Sequence, residues 1–347
     1  MALADLVAES IAGWDDALER TLFGAAGPRE IAAAIEGLCA EHLGPVDDGV
    51  YYRAGVGVVA GLLLTDGRSV AVKVHRWRTD VARLTGMQAV QRHLHEQGLP
   101  APRPLLGPTE LGTGIATVEE WRPGEPVDGR SAAVCSALAA GLHAFVQAAR
   151  ELVGRVDVRP PAILRPAAAP LWFEPHSVRF DFAATAAGAE WIDAAAEDAR
   201  AVLSSIADLP DVIGHFDWRV ENVGFTGGSL SAIYDWDSLA VAPEAVLVGS
   251  TAAQFCTDWA VDGDQVPTID EMATFVADYE AVRGEEFSGR DLEVLDAGNL
   301  ALIAYGARCQ HSDVTLHPEL GGTGSSLWLR LLRERLTRGA PVFSTRS

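Results

Sequence analysis

Hydrophobic positions recur at helical spacing over residues 4–22, at Leu6, Val7, Ile11, Trp14, Leu18 and Leu22. Pro28 suits the first turn of a second helix, which runs to about Leu43 and stops at Gly44. From Val50 onward the pattern changes. Residues 50–53, 58–64 and 69–74 read as strands, with Asp66-Gly67 as a tight hairpin turn between the last two. A helix over 79–97 follows, capped by Thr79 with Asp80 in its first turn, and stopped by Gly98 and Pro100. Pro100, Pro102 and Pro104 keep the next stretch extended, up to another strand at 115–120. Trp121-Arg122-Pro123-Gly124-Glu125-Pro126 reads as a linker. Beyond it the pattern is mainly helical. Helices are expected at 131–153 and at about 184–207, then a Gly-rich loop within 313–326 and a last helix to about Leu336.

One short-period stretch interrupts these helices. Val212-Ile213-Gly214 runs into His215-Phe216-Asp217-Trp218-Arg219-Val220-Glu221-Asn222, and Val223-Gly224-Phe225 runs out of it. After a Gly227-Gly228 turn, a second apolar run from Leu230 to Tyr234 ends on Asp235-Trp236-Asp237. This predicts a hairpin-like pair of short strands that brings Asp217, Asn222 and Asp235 to one place. Phosphoryl transfer from a nucleotide needs such a set. One carboxylate accepts the proton of the attacking hydroxyl, while a second carboxylate and an amide oxygen hold Mg²⁺ against the phosphates. The protein-kinase loop runs His-Arg-Asp, four residues, Asn. Here it runs His-Phe-Asp, four residues, Asn.

Lys73 is the only lysine among 27 basic residues, and it sits in the apolar strand Val70-Ala71-Val72-Lys73-Val74. A buried strand is a poor place for a solvated charge, although a strand-end lysine can snorkel to water. A compact ammonium there suits neutralisation of nucleotide phosphates. One hairpin earlier, Gly55-Val56-Gly57 can offer backbone N–H groups to phosphates or serve as a plain turn.

In these residues the chain resembles the aminoglycoside phosphotransferase and choline kinase-like family of small-molecule kinases. The resemblance covers about residues 48–310, and its most specific part is the catalytic segment. It implies an α+β, bilobal protein-kinase-like fold, with a small antiparallel-sheet N-lobe and a larger, mostly helical C-lobe. The expected organisation is an N-terminal helical extension at 1–46, a nucleotide-binding N-lobe at 47–121 and a catalytic, substrate-binding C-lobe at 122–347. It implies Asp217 as catalytic base, Asn222 and Asp235 as Mg²⁺ ligands, and ATP contacts from Lys73, Gly55 and Gly57. The backbone of Glu119, Glu120 and Trp121 is implied as the adenine contact.

The chain departs from the family pattern at two points. Met87 fills the helix position where relatives carry a glutamate for the strand lysine, which leaves Lys73 to pair with another acid or be oriented by Gln88, and Val58 replaces the usual Ser or Asn after the glycines. These departures keep a second reading open, a catalytically degenerate nucleotide-binding protein. Tyr234-Asp235-Trp236-Asp237-Ser238 also resembles the Asp-x-Asp strand end of haloacid dehalogenase-like phosphatases, but those need a later lysine, and no lysine follows Lys73.

Composition narrows the partners. A net charge of -21 argues against nucleic acid and permits a cationic substrate. Glu174, Asp181, Glu190 and Asp193 are candidates to face one, against the simpler reading of a solvated helix face. Trp218 can stack on a substrate ring or cation, or pack beneath its loop. No apolar run reaches the roughly 18 residues of a membrane span, and the first residues lack a basic leader region. Cys39, Cys135, Cys256 and Cys309 have no metal-ligand spacing. The expectation is a cytoplasmic enzyme with reduced thiols, acting on a small hydroxylated molecule with no membrane or nucleic-acid partner.

Overall fold

The computed structural model describes residues 1–13, 16–24, 26–76, 80–177, 179–259, 266–318 and 327–343. Trp14, Thr79 and the Gly321-Gly322-Thr323-Gly324 loop, all singled out above, lie outside the described residues. The chain divides into two compact units. One is Met1–Pro123 with Ala232–Asp237, the other Gly124–Ser231 with Ser238–Ser347.

The first unit opens with helices α1 (Leu3–Gly13), α2 (Ala17–Phe23) and α3 (Pro28–His42). Two helices form where one was expected over 4–22. Gly13 is a poor helix former, and Asp16 stands as the N-cap residue of α2. Next come β1 (Val46–Ala54), β2 (Val58–Leu64), β3 (Ser69–His75), α4 (Val81–Glu96), β4 (Pro104–Leu111) and β5 (Gly114–Glu120). The strands form one antiparallel sheet in the order β1-β2-β3-β5-β4. Leu3, Val7, Ile31 and Ile35 share a buried core with Val58, Ala60, Leu62, Val70 and Val72, so the N-terminal helices complete the sheet's core. Strand β4 was expected only as an extended stretch. Pro104 offers no N–H, and the β4–β5 register shifts twice, which an edge strand tolerates. Asp80 caps α4, its side chain accepting from Ala82 N–H at 2.8 Å.

The second unit contains α5 (Ala132–Ala149), α6 (Glu190–Leu203), β6 (Asp211–His215), β7 (Val223–Thr226) and the start of β8 (Ser229–Ile233). It continues with β9 (Leu239–Pro243), α7 (Glu244–Ala252), α8 (Ile269–Arg283), α9 (Arg290–Leu316) and α10 (Leu327–Arg338). The hairpin β7–β8 turns on Gly227 and Gly228, with φ of 57° and 79°. Positive φ at both central residues matches the right-handed twist of the flanking strands and favours glycine. Strand β6 pairs antiparallel with β9, His215 opposite Leu239. One helix among the described residues, Ala132–Leu152, is long and apolar enough to cross a membrane. Its Leu138, Leu142, Phe145 and Val146 have no exposed surface in the folded unit.

Candidate active site

In the first unit Lys73 is brought to the segment that ends β8. Its Nζ donates to Asp235 Oδ1 at 2.6 Å and also to Asp237 Oδ1. These partners lie 162 and 164 residues further along the chain. Burial alone would lower the Lys73 pKa, but the two carboxylates raise it above the ordinary lysine value. Burial likewise pushes the Asp237 carboxyl up, and the Lys73 ammonium and the His75 imidazole more than offset it, holding Asp237 well below 3.8. His75 Nδ1 lies 3.7 Å from Asp237 Oδ2, and Arg83 donates to the Asp237 carbonyl at 3.2 Å. Asp235 has φ of 54°, the only non-glycine with positive φ among the described residues. Such a conformation costs about 1 kcal/mol and persists where its surroundings impose it.

The signs of these shifts set a pH dependence. Asp237, depressed in the fold, contributes stability that is present above its unfolded value near about pH 4 and lost as pH falls through its lower folded value. Lys73, raised in the fold, contributes stability that is complete below about pH 10.4 and lost only as pH rises past its higher folded value. Urea denaturation should therefore show wild type losing more stability between about pH 4 and 2 than Asp237→Asn. Identical pH slopes would remove the ion pair from this account.

The other residues expected at the nucleotide are placed as follows. Gly55 N–H donates to the Gly57 carbonyl at 2.9 Å, closing a tight turn between β1 and β2. A Cβ on Gly57 would come within 2.8 Å of the Val74 carbonyl oxygen, so only glycine fits. Met87 is buried on α4, and Gln88 does not reach Lys73; its Nε2 donates to the Leu106 carbonyl at 2.9 Å. In the segment expected at adenine, Glu120 N–H donates to Arg103 O and Trp121 N–H to Ser69 O, each at 3.0 Å. Both amides are thus used by the fold. The Glu119 side chain turns into the unit, where Gln91 Nε2 donates to its Oε2 at 2.5 Å.

In the second unit Asp217 and Asn222 follow β6. Asn222 Nδ2 donates to the Asp217 carbonyl at 2.9 Å and to its Oδ2 at 2.7 Å. Both amide hydrogens are thereby committed, and Asn222 Oδ1 keeps its lone pairs for a cation. Arg219 Nη1 lies 3.3 Å from Asp217 Oδ1 and its Nη2 3.0 Å from Glu221 Oε2. His215 is fully buried, its ring edge-on to Trp218 at 5.8 Å. Trp218 packs beneath the loop and is not presented to a substrate. It has no exposed surface, donates from Nε1 to the Leu138 carbonyl at 3.0 Å and meets Phe145 edge-on. Trp218→Ala should cost about 3–5 kcal/mol, read as a lowered urea midpoint; a loss under about 1 kcal/mol would contradict this packing role.

Three of the four acids considered for a cationic substrate are held by local structure. Asp181 accepts from Ala184 N–H, Glu190 from Gly188 N–H, and Asp193 from Trp172 Nε1–H at 2.8 Å. Glu174 is exposed. The same region gathers aromatic rings, with Phe173 stacked on Tyr305 at 4.6 Å and Trp172 edge-on to Phe182. His143 lies edge-on to Tyr279 at 5.6 Å, and burial lowers its pKa.

His75, Gln91 and the Glu119 side chain were not expected at the site, whereas sequence alone leaves Asp237 either to touch a second metal or to cap the next helix. Asp-x-Asp spacing at 235–237 was the one sequence signal for Asp237; the others depend on which strands and helices become neighbours. Among the described residues no group of three or more His, Cys, Asp or Glu is arranged to hold a metal alone. Mg²⁺ is commonly bound by one or two protein groups together with substrate phosphates, so the lack of such a group does not exclude it.

These arrangements fit a kinase that acts on small molecules. Residues 60–297 match the model of the phosphotransferase enzyme family (APH). Among solved structures, the chain is similar to amicoumacin kinase hAmiN in complex with AMP-PNP, Ca²⁺ and Ami. The identity there is 13% over 86% of this chain and 90% of that one, with a TM-score of 0.60. It is also similar to macrolide 2'-phosphotransferase MphH from Brachybacterium faecium, at 16% identity over 82% and 98% of the two chains and a TM-score of 0.51. Spectinomycin phosphotransferase APH(9)-Ia, in complex with ADP and spectinomycin, gives 14% identity over 89% and 94%, with a TM-score of 0.51. At such identities the likeness is one of fold. No curated protein sequence matches the chain.

The chain belongs to the phosphotransferase enzyme family, since the match spans more than half of its 347 residues. Its fold is α+β and protein-kinase-like, and its activity class is phosphoryl transfer to a hydroxyl of a small molecule.

Proposed function

We propose that this protein transfers the γ-phosphoryl group of ATP to an alcohol of a small hydroxylated molecule, such as an amino sugar, aminoglycoside or amino alcohol. Lys73 binds the α- and β-phosphates. Asn222 Oδ1 and Asp235 hold Mg²⁺, which when bound neutralises phosphate charge as it develops. Asp217 orients and deprotonates the acceptor hydroxyl. The turn at Gly55 and Gly57 lies over the phosphates, and carbonyls of Glu119, Glu120 and Trp121 face the base. Catalysis on this reading is positioning and charge neutralisation, without a covalent enzyme intermediate.

The observation that supports it best is the meeting of the chain's only lysine with Asp235, 162 residues later, at 2.6 Å. Nothing in local sequence would bring these two charges together unless the site required both. Met87 at the helix position, buried and apolar, favours a second reading, nucleotide binding without turnover. Purified protein with Mg²⁺ and ATP, offered amino sugars, aminoglycosides, amino alcohols and macrolides, separates the two. ADP release with formation of a phosphomonoester, abolished by EDTA, supports the enzyme. Saturable ATP binding with no ADP release for any acceptor supports the second reading.

A further inference from the structure

The helix that would supply an acid to Lys73 supplies none. On α4, Met87 is 2% exposed and Gln88 serves the Leu106 carbonyl. One turn along, Gln91 is 1% exposed and donates to Glu119 at 2.5 Å. Glu119 stands on β5 two residues beyond Thr117, and Thr117 is the residue paired with Lys73 across the β3–β5 ladder. Alternate residues of a strand share a face, so Glu119 and Lys73 project to the same side of the sheet.

We propose that Glu119, clamped by Gln91, is the positioning residue for Lys73, a carboxylate delivered by strand β5 in place of the one α4 lacks. The role rests on the reading of Lys73 as the phosphate-binding cation. Without nucleotide, Asp235 and Asp237 hold the ammonium. Were Asp235 to hold Mg²⁺, it would have less charge to give the ammonium. Asp237 keeps its hold on the ammonium, and Glu119, fixed by Gln91, adds a second carboxylate near Lys73.

The groups that act on Glu119 fit this role. Burial raises its carboxyl, Gln91 and Lys73 lower it, and Asp237 and Asp235 raise it again, leaving it at about 7. Tyr234, whose own pKa Glu119 helps to raise, completes the surroundings. An acid that the fold disfavours in its ionised form is not there for stability.

The test compares the full-length wild type with Glu119→Gln, which is nearly isosteric and keeps an oxygen for Gln91. Mg·ATP is the probe, with water or an accepted alcohol as acceptor. The expected result is a kcat lower by about tenfold to hundredfold, with KM for ATP within about threefold. Thermal unfolding should occur at the wild-type temperature below about pH 4, under the unfolded value of a glutamate, and at a higher one near pH 8, where the variant carries no buried charge. A merely structural acid would give the opposite, a lowered melting temperature. Wild-type kcat in Glu119→Gln overturns the role of Glu119 alone. A wild type that neither binds nor turns over Mg·ATP overturns the reading of Lys73, and the role of Glu119 with it.

Discussion

Asp217→Asn is expected to lower phosphoryl transfer about 10²- to 10⁴-fold, the usual contribution of a positioned general base. The substitution removes the basic oxygen and the charge that faces Arg219 Nη1 at 3.3 Å, a partly exposed pair whose loss costs little. Asn222 can still donate to the remaining side-chain oxygen and to the Asp217 carbonyl, which it now meets at 2.7 and 2.9 Å. Trp218 and His215 are buried beneath the loop and do not depend on the carboxylate's charge. The urea midpoint should therefore move little while ADP release collapses. KM for ATP should stay near the wild-type value, because the base acts on the acceptor. Turnover within about threefold of wild type would remove Asp217 from the chemistry.

Lys73→Met should be comparably damaging by a different route. It deletes the chain's only lysine ammonium, so nucleotide affinity and rate both fall, by about 10²-fold or more in kcat/KM. It also leaves Asp235 and Asp237 facing each other without their cation. Breaking a fully buried pair costs about 3–5 kcal/mol. Here the Lys73, Asp235 and Asp237 side chains keep 18%, 37% and 29% of their exposure, so solvent screening reduces the expected loss to about 1–2 kcal/mol at neutral pH. The loss should shrink near pH 3, where Asp237, no longer held down by the ammonium, takes up a proton. Lys73→Arg should not restore activity, since a planar guanidinium does not replace a compact point charge in the same strand. Denaturation at the two pH values, together with ATP kinetics, checks both parts.

Much of the fold follows from local pattern. Strand β2 forms over 58–64, where a Val- and Leu-rich run has no breaker within it. Helix α3 starts at Pro28 as its N-terminal proline requires. The candidate site segment stands out in the sequence because its polar groups are concentrated in eight consecutive residues ending at Asn222. What escaped depends on tertiary partners. Strand β4 carries Pro104 and Pro108 and an irregular register, and only its neighbour β5 makes it a strand. The run Val212-Ile213-Gly214 gives no sign that it will pair with Leu239–Pro243 and not with the hairpin beside it. Helix α6 was expected over about 184–207 but begins at Glu190, after Gly188 takes a φ of 81°. The reach of Gln91 to Glu119 joins a helix to a strand, and neither residue stands out in its own element.

Lys73 also provides the most direct test of the central claim. With lysine alone isotopically labelled, the side-chain ammonium of the full-length protein gives a single NMR resonance, because the chain has one lysine. Titration with Mg·ATP should move that resonance saturably, as the ammonium exchanges carboxylate partners for phosphate oxygens. A resonance that stays in place at saturating Mg·ATP and at saturating Mg·GTP would contradict the account.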